Sequence, residues 1–248
     1  MSITYILWLR QIRRYIRSPA RVIGSLAQPL LFLFGIGFGF GPTYEKAGNG
    51  SYIQFLAPGV IAMAILFTAV FSGIEILWDR QFGFLKEMLV APVTRLEIVF
   101  GRTIGGATVA MIQGLIVFLF CLLAGFRVEN YEMVPIAILF MFLIAMLFTA
   151  VGTVIGSIIE DMQAFPLIMN FLVMPLFFFS GALFPISGLP KTLNFLMRMN
   201  PLSYGVDGLR GALTHDFIFG IGMDFSFIAI STAILLGIGS YFFAKIQI

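Results

Sequence analysis

The chain has 248 residues, of which 60% are apolar and 11% charged, and its mean hydropathy is +1.02, a balance that excludes a soluble globular domain and marks an integral membrane protein. A formal charge of +3 is too modest to point to nucleic acid, and the lone Cys121 excludes a disulfide framework or a cysteine metal cluster within one chain. One histidine, His215, and no H-E-x-x-H pattern remove most metal-hydrolase chemistry. The length suits a single membrane domain over residues 1–248, and no G-x-x-x-x-G-K-[ST] phosphate loop occurs. If ATP is used, another chain binds it.

Residues 1–21 predict an amphipathic helix in the membrane interface. At about 100° per residue, Tyr5, Leu9, Ile12 and Ile16 fall within roughly a 60° arc. Arg10, Arg13, Arg14, Arg17 and Arg21 cluster on the opposite side, toward anionic headgroups. The arginines serve equally well as orientation signals. A signal peptide is not expected, because charge interrupts the apolar run every few residues and no small-residue cleavage site follows.

Six charge-free runs come next, 22–44, 47–74, 103–126, 133–159, 162–190 and 225–244. Each holds at least the ~20 residues a helix needs to cross ~30 Å of hydrocarbon, so an all-α protein with six transmembrane helices is expected. With the N-terminus inside, ten of the 15 basic residues lie in cytoplasmic segments: Arg10, Arg13, Arg14, Arg17, Arg21, Arg80, Lys86, Arg95, Arg102 and Lys245. The outer segments keep Lys46, Arg127, Lys191, Arg198 and Arg210, an asymmetry that predicts both termini in the cytoplasm.

In the first run, Gly35, Gly37, Gly39 and Gly41 form two overlapping G-x-x-x-G spacings, suited either to close helix packing, against another span or a second copy, or to a frayed exit before Pro42. Gln28, Gln113 and Asn170 are polar groups at depth. Each is expected to face the bundle or a wet cavity, as helix-joining groups or as lining of a substrate path. Glu75, near the inner end of the second run, reads as a solvated or arginine-paired carboxylate. Glu160 and Asp161 form a short inner turn.

The stretch 79–102, DRQFGFLKEMLVAPVTRLEIVFGR, is dense in charge between two apolar runs and reads as a cytoplasmic loop. Phe82, Leu85, Met88 and Leu89 follow helical spacing while Lys86 and Glu87 point elsewhere, so 82–89 predicts an amphipathic helix. Pro92 ends it and Thr94 caps the next helix. Such a helix is either a handle across the mouth of a bundle or an ordinary loop on the bilayer surface. Farther on, Pro166, Pro175, Pro185, Pro190 and Pro201 interrupt the apolar run, so the fifth span is expected to be broken. Short helices then follow over 189–199 and 201–213, the second capped by Asn200 with Pro201 in its first turn. They are too short to span and predict an external hairpin over 187–224 that re-enters the membrane. Asp207 and Arg210, spaced i, i+3, suit a pair within the second helix.

The order basic residue, Gly83, Leu85, acidic residue, Leu89, Ala91-Pro92-Val93, Arg95, Glu97, Gly101, basic residue resembles the coupling segment of ABC type-2 exporter permeases, most of all the daunorubicin-resistance and nodulation-type branch. FFFSGALFPISGLP and MNPLSYGVDGLRG, within 177–211, are similar to the same family. One departure is local: many members carry an acid three positions after the glycine, where this chain has Lys86 and then Glu87. The resemblance implies a permease subunit without its own ATPase site, in a bacterial or archaeal cell membrane. Two copies of an ATP-binding cassette subunit would bind ATP and Mg, and a second permease copy would complete a homodimer. It implies an ATPase-coupling interface of Arg80, Phe82, Gly83, Leu85, Lys86, Glu87, Met88, Pro92 and Arg95, and an external hairpin carrying Asn200, Pro201, Asp207 and Arg210. The expected cargo is hydrophobic or amphipathic, a drug-like molecule or a lipid, with lipid-linked polysaccharide as the alternative. An ion-coupled transporter is disfavoured by the lack of a buried charge relay, and an enzyme by the lack of clustered catalytic groups.

Overall fold

Long apolar stretches leave the backbone little choice: away from water its N–H and C=O groups are satisfied within a helix. A computed structural model describes residues 3–46, 50–84, 94–185 and 190–245, and among these there are helices and no strand. In chain order they are α1 (Ile3–Ile16), α2 (Pro19–Leu31), a π-type turn (Phe32–Ile36) running into α3 (Gly37–Lys46), α4 (Tyr52–Phe71), α5 (Ile74–Gln81) and α6 (Arg95–Leu123). After a 3-10 turn come α7 (Val134–Ile158), α8 (Ala164–Phe178), α9 (Lys191–Met199), α10 (Pro201–Thr214) and α11 (Ile221–Ala244).

Five helical stretches among the described residues are long and apolar enough to cross a membrane: Pro19–Lys46, Tyr52–Gln81, Arg95–Leu123, Tyr131–Ile158 and Ile221–Ala244. The fifth expected span, over 162–190, is broken as its prolines predict and does not form one membrane-crossing helix. Its α8 has 15 residues, or roughly 22 Å, which falls short of the hydrocarbon thickness. Pro175 lies inside α8, and irregular backbone follows from Phe179. The first span is helical through Pro42 to Lys46, so it does not fray there.

The second span is 72% buried, against 17% and 22% for the first and last, which makes α4 the axis of the bundle and leaves α2, α3 and α11 at its edge. Small residues set how closely its neighbours approach. A Cβ on Gly73 would overlap the Gly152 carbonyl, one on Gly152 would overlap the Val70 carbonyl, and one on Gly156 the Gly73 carbonyl. Backbone therefore touches backbone where α4 hands over to α5, the mode of contact that suits helices with no water to expel. At that junction Ser72 Oγ donates to the Ala69 carbonyl at 2.6 Å.

The irregular stretch after α8 is held by the hairpin behind it. Asn200 Nδ2 donates to the Leu176 and Phe179 carbonyls, Arg210 Nη2 to the Gly181 and Phe55 carbonyls, and Tyr52 Oη to the Leu183 carbonyl. Non-helical backbone without water needs such partners. Asn200 Oδ1 also caps α10 by accepting from the Leu202 N–H at 3.0 Å, with Pro201 in the first turn. From Leu202 to Leu213, α10 is buried against α4, α7 and α11. Gly205 and Gly208 lie flat on Ile144 and Phe140.

Gly73→Ala or Gly152→Ala is expected to destabilise the bundle by about 1–3 kcal/mol, since overlapping backbone must move. Gly222→Ala, with nothing within 4 Å of the added methyl group, serves as the control. Thermal-shift chromatography of the detergent-solubilised protein tests this, and an equal response of all three would contradict it.

Candidate coupling site

Glu75 and Asp79 stand four residues apart on α5 and share one helix face; Arg10 and Arg14 do the same on α1. The two sets meet in antiparallel register. Arg10 bonds Asp79, with Nη1 to Oδ2 at 3.2 Å, while Arg14 lies 3.8 Å from Glu75 and Arg21 of α2 donates to Glu75 at 2.9 Å. Arg102 of α6 donates to the second side of Asp79. Both carboxylates are only 5% exposed and Arg102 4%, so the charges meet where water screens them little. Among the described residues, two carboxylates face four guanidinium groups.

An apolar knot lies beside the charges. Leu7, Ile76, Ile98, Val99 and Phe243 form a small core of their own, and Phe84 packs on it. Arg10 stacks over the Phe84 ring at 4.0 Å, so one arginine holds both Asp79 and the residue that opens the candidate coupling segment. On the near side α5 stops because Gly83 turns to φ +77°, the left-handed conformation that suits glycine at a helix end. On the far side Thr94 and Glu97 form a reciprocal capping box: Thr94 Oγ1 accepts from the Glu97 N–H at 3.3 Å and Glu97 Oε2 from the Thr94 N–H at 2.9 Å. Both edges of the segment are thus fixed.

The helix expected over 82–89 does not begin at Phe82, because Phe82 and Gly83 form the turn that ends α5. Phe82 is 79% exposed, Arg95 half-buried, and Arg80 pairs with Glu160 at 2.9 Å. Leu85, Lys86, Glu87, Met88 and Pro92 lie outside the described residues. Gln28, Gln113 and Asn170 do not converge. Gln28 lines a cavity, Gln113 accepts a hydrogen bond from Tyr15 and joins α1 to α6, and Asn170 is exposed on α8, opposite the buried Phe165, Met169 and Val173. Asp207 and Arg210 do not pair with each other. Asp207 accepts from the Ile218 and Phe219 N–H groups, and Arg210 from α10 reaches the carbonyls of the broken fifth run.

The first helix also differs from expectation. It packs along α6, where Gly101 and Gly105 make a groove for Thr4, Trp8 and Gln11. Its inward stripe is Leu7, Gln11 and Tyr15, leaving Tyr5 and Ile16 exposed. Trp8 Nε1 donates to Thr108 at 3.1 Å, and burial raises the pKa of the Tyr15 hydroxyl. Arg10, Arg14 and Arg21, expected to face headgroups, turn to Glu75 and Asp79 instead. Composition and apolar periodicity miss this network, but the matching four-residue spacings of opposite charge were a usable signal. Among the described residues, no three His, Cys, Asp or Glu side chains gather to hold a metal.

Asp79→Ala, which removes the carboxylate offsetting a buried guanidinium, is expected to cost about 3–5 kcal/mol. Glu160→Ala, at an exposed pair, is expected to cost less than about 1 kcal/mol. Thermal denaturation of the two variants separates these values, and a similar small loss in both would contradict the buried network.

Residues 3–214 match the family described as ABC-2 type transporter. The transport permease ycf38 of Cyanophora paradoxa is 28% identical over 203 residues, covering 81% of this chain and 70% of the relative. The ycf38 permease of Porphyra purpurea is 32% identical over 204 residues, covering 78% and 68%. Nodulation protein J of Rhizobium leguminosarum bv. trifolii is 28% identical over 208 residues, covering 83% and 76%.

Proposed function

Because this chain belongs to the ABC-2 type transporter family and is a membrane-integral transport component, we propose that it is the permease of an exporter driven by ATP hydrolysis on separate subunits. Family membership implies an ATP-binding cassette partner. In the proposed complex two such subunits bind ATP and Mg, and two permease copies enclose the path. The cargo is hydrophobic or amphipathic.

The observation that carries this reading is the way the segment between Phe84 and Thr94 is gripped. A force applied there by an ATPase cannot be absorbed by loose flanks. Asp79 and Arg102 bind α5 to α6, Ile76 packs with Ile98 and Val99, and Arg10 adds α1. The second span, the third span and the N-terminal helix therefore move together. Directed transport needs ATP to favour one of two states of this bundle, inward-open or outward-open. Phe82, open at the flank, is the described side chain best placed to enter a groove of the partner.

Two further features support the assembly. Arg21, Arg80 and Arg102 with Glu75, Asp79 and Glu160 mark one end of the bundle, while Arg127 beside Gln54 and Arg210 beside Phe55 mark the other. This separation is what a cytoplasmic N-terminus and coupling segment require. A Cβ on Gly35 or Gly39, four residues apart on one helix face, would meet nothing within 4 Å beyond its own helix, which leaves a small-residue face for the second copy.

A Phe82→Ala/Leu85→Ala double variant is expected to lose about ten- to a hundredfold in association with the ATPase while it still folds. Pull-down of the ATPase at matched permease levels tests it, and undiminished binding would reject the proposal. A cysteine placed at Glu87 in a Cys121→Ala background is expected to resist outside-only thiol reagents in intact cells. Labelling from outside would overturn the orientation.

A further inference from the structure

A cavity of about 350 Å³ lies between α1, α2, α4–α5 and α6. That is within the size of small-molecule sites, about 300–1,000 Å³. Its lining changes character along the helices. Arg21 and Glu75 stand at one end, Gln28, Phe67 and Phe71 toward the other. Arg21 and Gln28 are separated by seven residues on α2, and Phe67 and Glu75 by eight along α4–α5, so at 1.5 Å per residue the two ends are roughly 10–12 Å apart. A molecule that fills the cavity must therefore be amphipathic and about that long.

The sign of its polar end follows from the charges. Glu75 faces both Arg14 and Arg21, so these three groups carry a surplus of one positive charge at that end. The Arg21 side chain is 41% exposed and spends one nitrogen on Glu75, which leaves donors of its planar fork for an anion. The Tyr15 hydroxyl, in the same wall, is taken up by Gln113. At Gly24, also in the wall, nothing lies within 4 Å of where a Cβ would be, so the space beside it is open.

We propose that this cavity binds one phosphate-headed anionic lipid of the inner leaflet, its headgroup on Arg21 and its first acyl carbons against Phe67 and Phe71. The leaflet rests on the orientation argued above; the chemistry of the site does not. A free phosphate would satisfy Arg21 but leave the aromatic end uncovered, and an uncharged lipid would leave the surplus charge unmet.

Native mass spectrometry of the full-length chain, released from detergent with dioleoylphosphatidylglycerol or dioleoylphosphatidylcholine present, tests this. One phosphatidylglycerol is expected to stay bound per chain, preferred about tenfold over phosphatidylcholine. Gly24→Leu, which adds a side chain at the cavity wall and removes no charged group, and Arg21→Ala are each expected to weaken retention about tenfold. Arg17→Ala, at an exposed arginine of the same basic region, is expected to change it little. Wild-type retention by Gly24→Leu overturns the proposal, as does equal retention of the two lipids, an equal loss in Arg17→Ala, or displacement of the lipid by millimolar inorganic phosphate. The assay needs no ATPase. Loss of ATPase pull-down with lipid binding intact would strike the transport reading alone, and the reverse result this inference alone.

Discussion

Asp79 is the constraint on which the end of this structure built from α1, α5 and the start of α6 depends. A carboxylate that is 5% exposed has lost most of its hydration and must recover it from fixed partners. Those partners are Arg10 and Arg102, from two different helices. To meet them at once, α1 has to lie against α6, and α5 has to stop within reach of both. Gly101 and Gly105 make the first possible by letting α1 sink into α6, and Gly83 makes the second possible by ending α5 in a left-handed turn. A single buried charge thereby specifies the placement of three helices whose apolar faces alone would slide.

The same arrangement explains a division of labour along the bundle. At the Asp79 end, charges and the Leu7, Ile76, Ile98, Val99, Phe243 core hold the two flanks, Phe84 and Thr94, of the segment between them. In the middle, Gly73, Gly152 and Gly156 bring backbone onto backbone around α4. At the far end the polar groups of α10 and its cap serve the backbone itself, since Asn200 and Arg210 bind carbonyls in the last turn of α8 and in the irregular stretch after it. Polar residues at depth are thus mostly structural here, and the first and last spans, with little buried surface, are left to face lipid or another chain.

Local signals were legible in the sequence. The starts of α6, at Thr94 with Glu97, and of α10, at Asn200 with Pro201, follow from capping chemistry that acts within four residues. The prolines announced that the fifth run would not be an intact span. What was not legible depended on partners far along the chain. The apolar stripe Tyr5, Leu9, Ile12, Ile16 is real, but in a membrane an apolar stripe faces lipid as readily as core, so periodicity did not reveal that Leu7, Gln11 and Tyr15 point inward. Asp207 and Arg210 have the spacing of a helical pair, yet unsatisfied backbone groups nearby attract them more strongly. Residues 85–93, where the family resemblance is densest, lie outside the described structure.

The central claim is that Asp79 joins α1 to the end of α5 through Arg10, and a double-mutant cycle measures that link most directly. Arg10→Met, Asp79→Asn and the double variant are compared with the unmodified chain by thermal or denaturant unfolding in one detergent. The account predicts strong non-additivity, with a coupling energy above about 1 kcal/mol, because two groups in one buried network share their loss. Additive effects, agreeing within about 0.5 kcal/mol, would mean that the two side chains act independently and would contradict it.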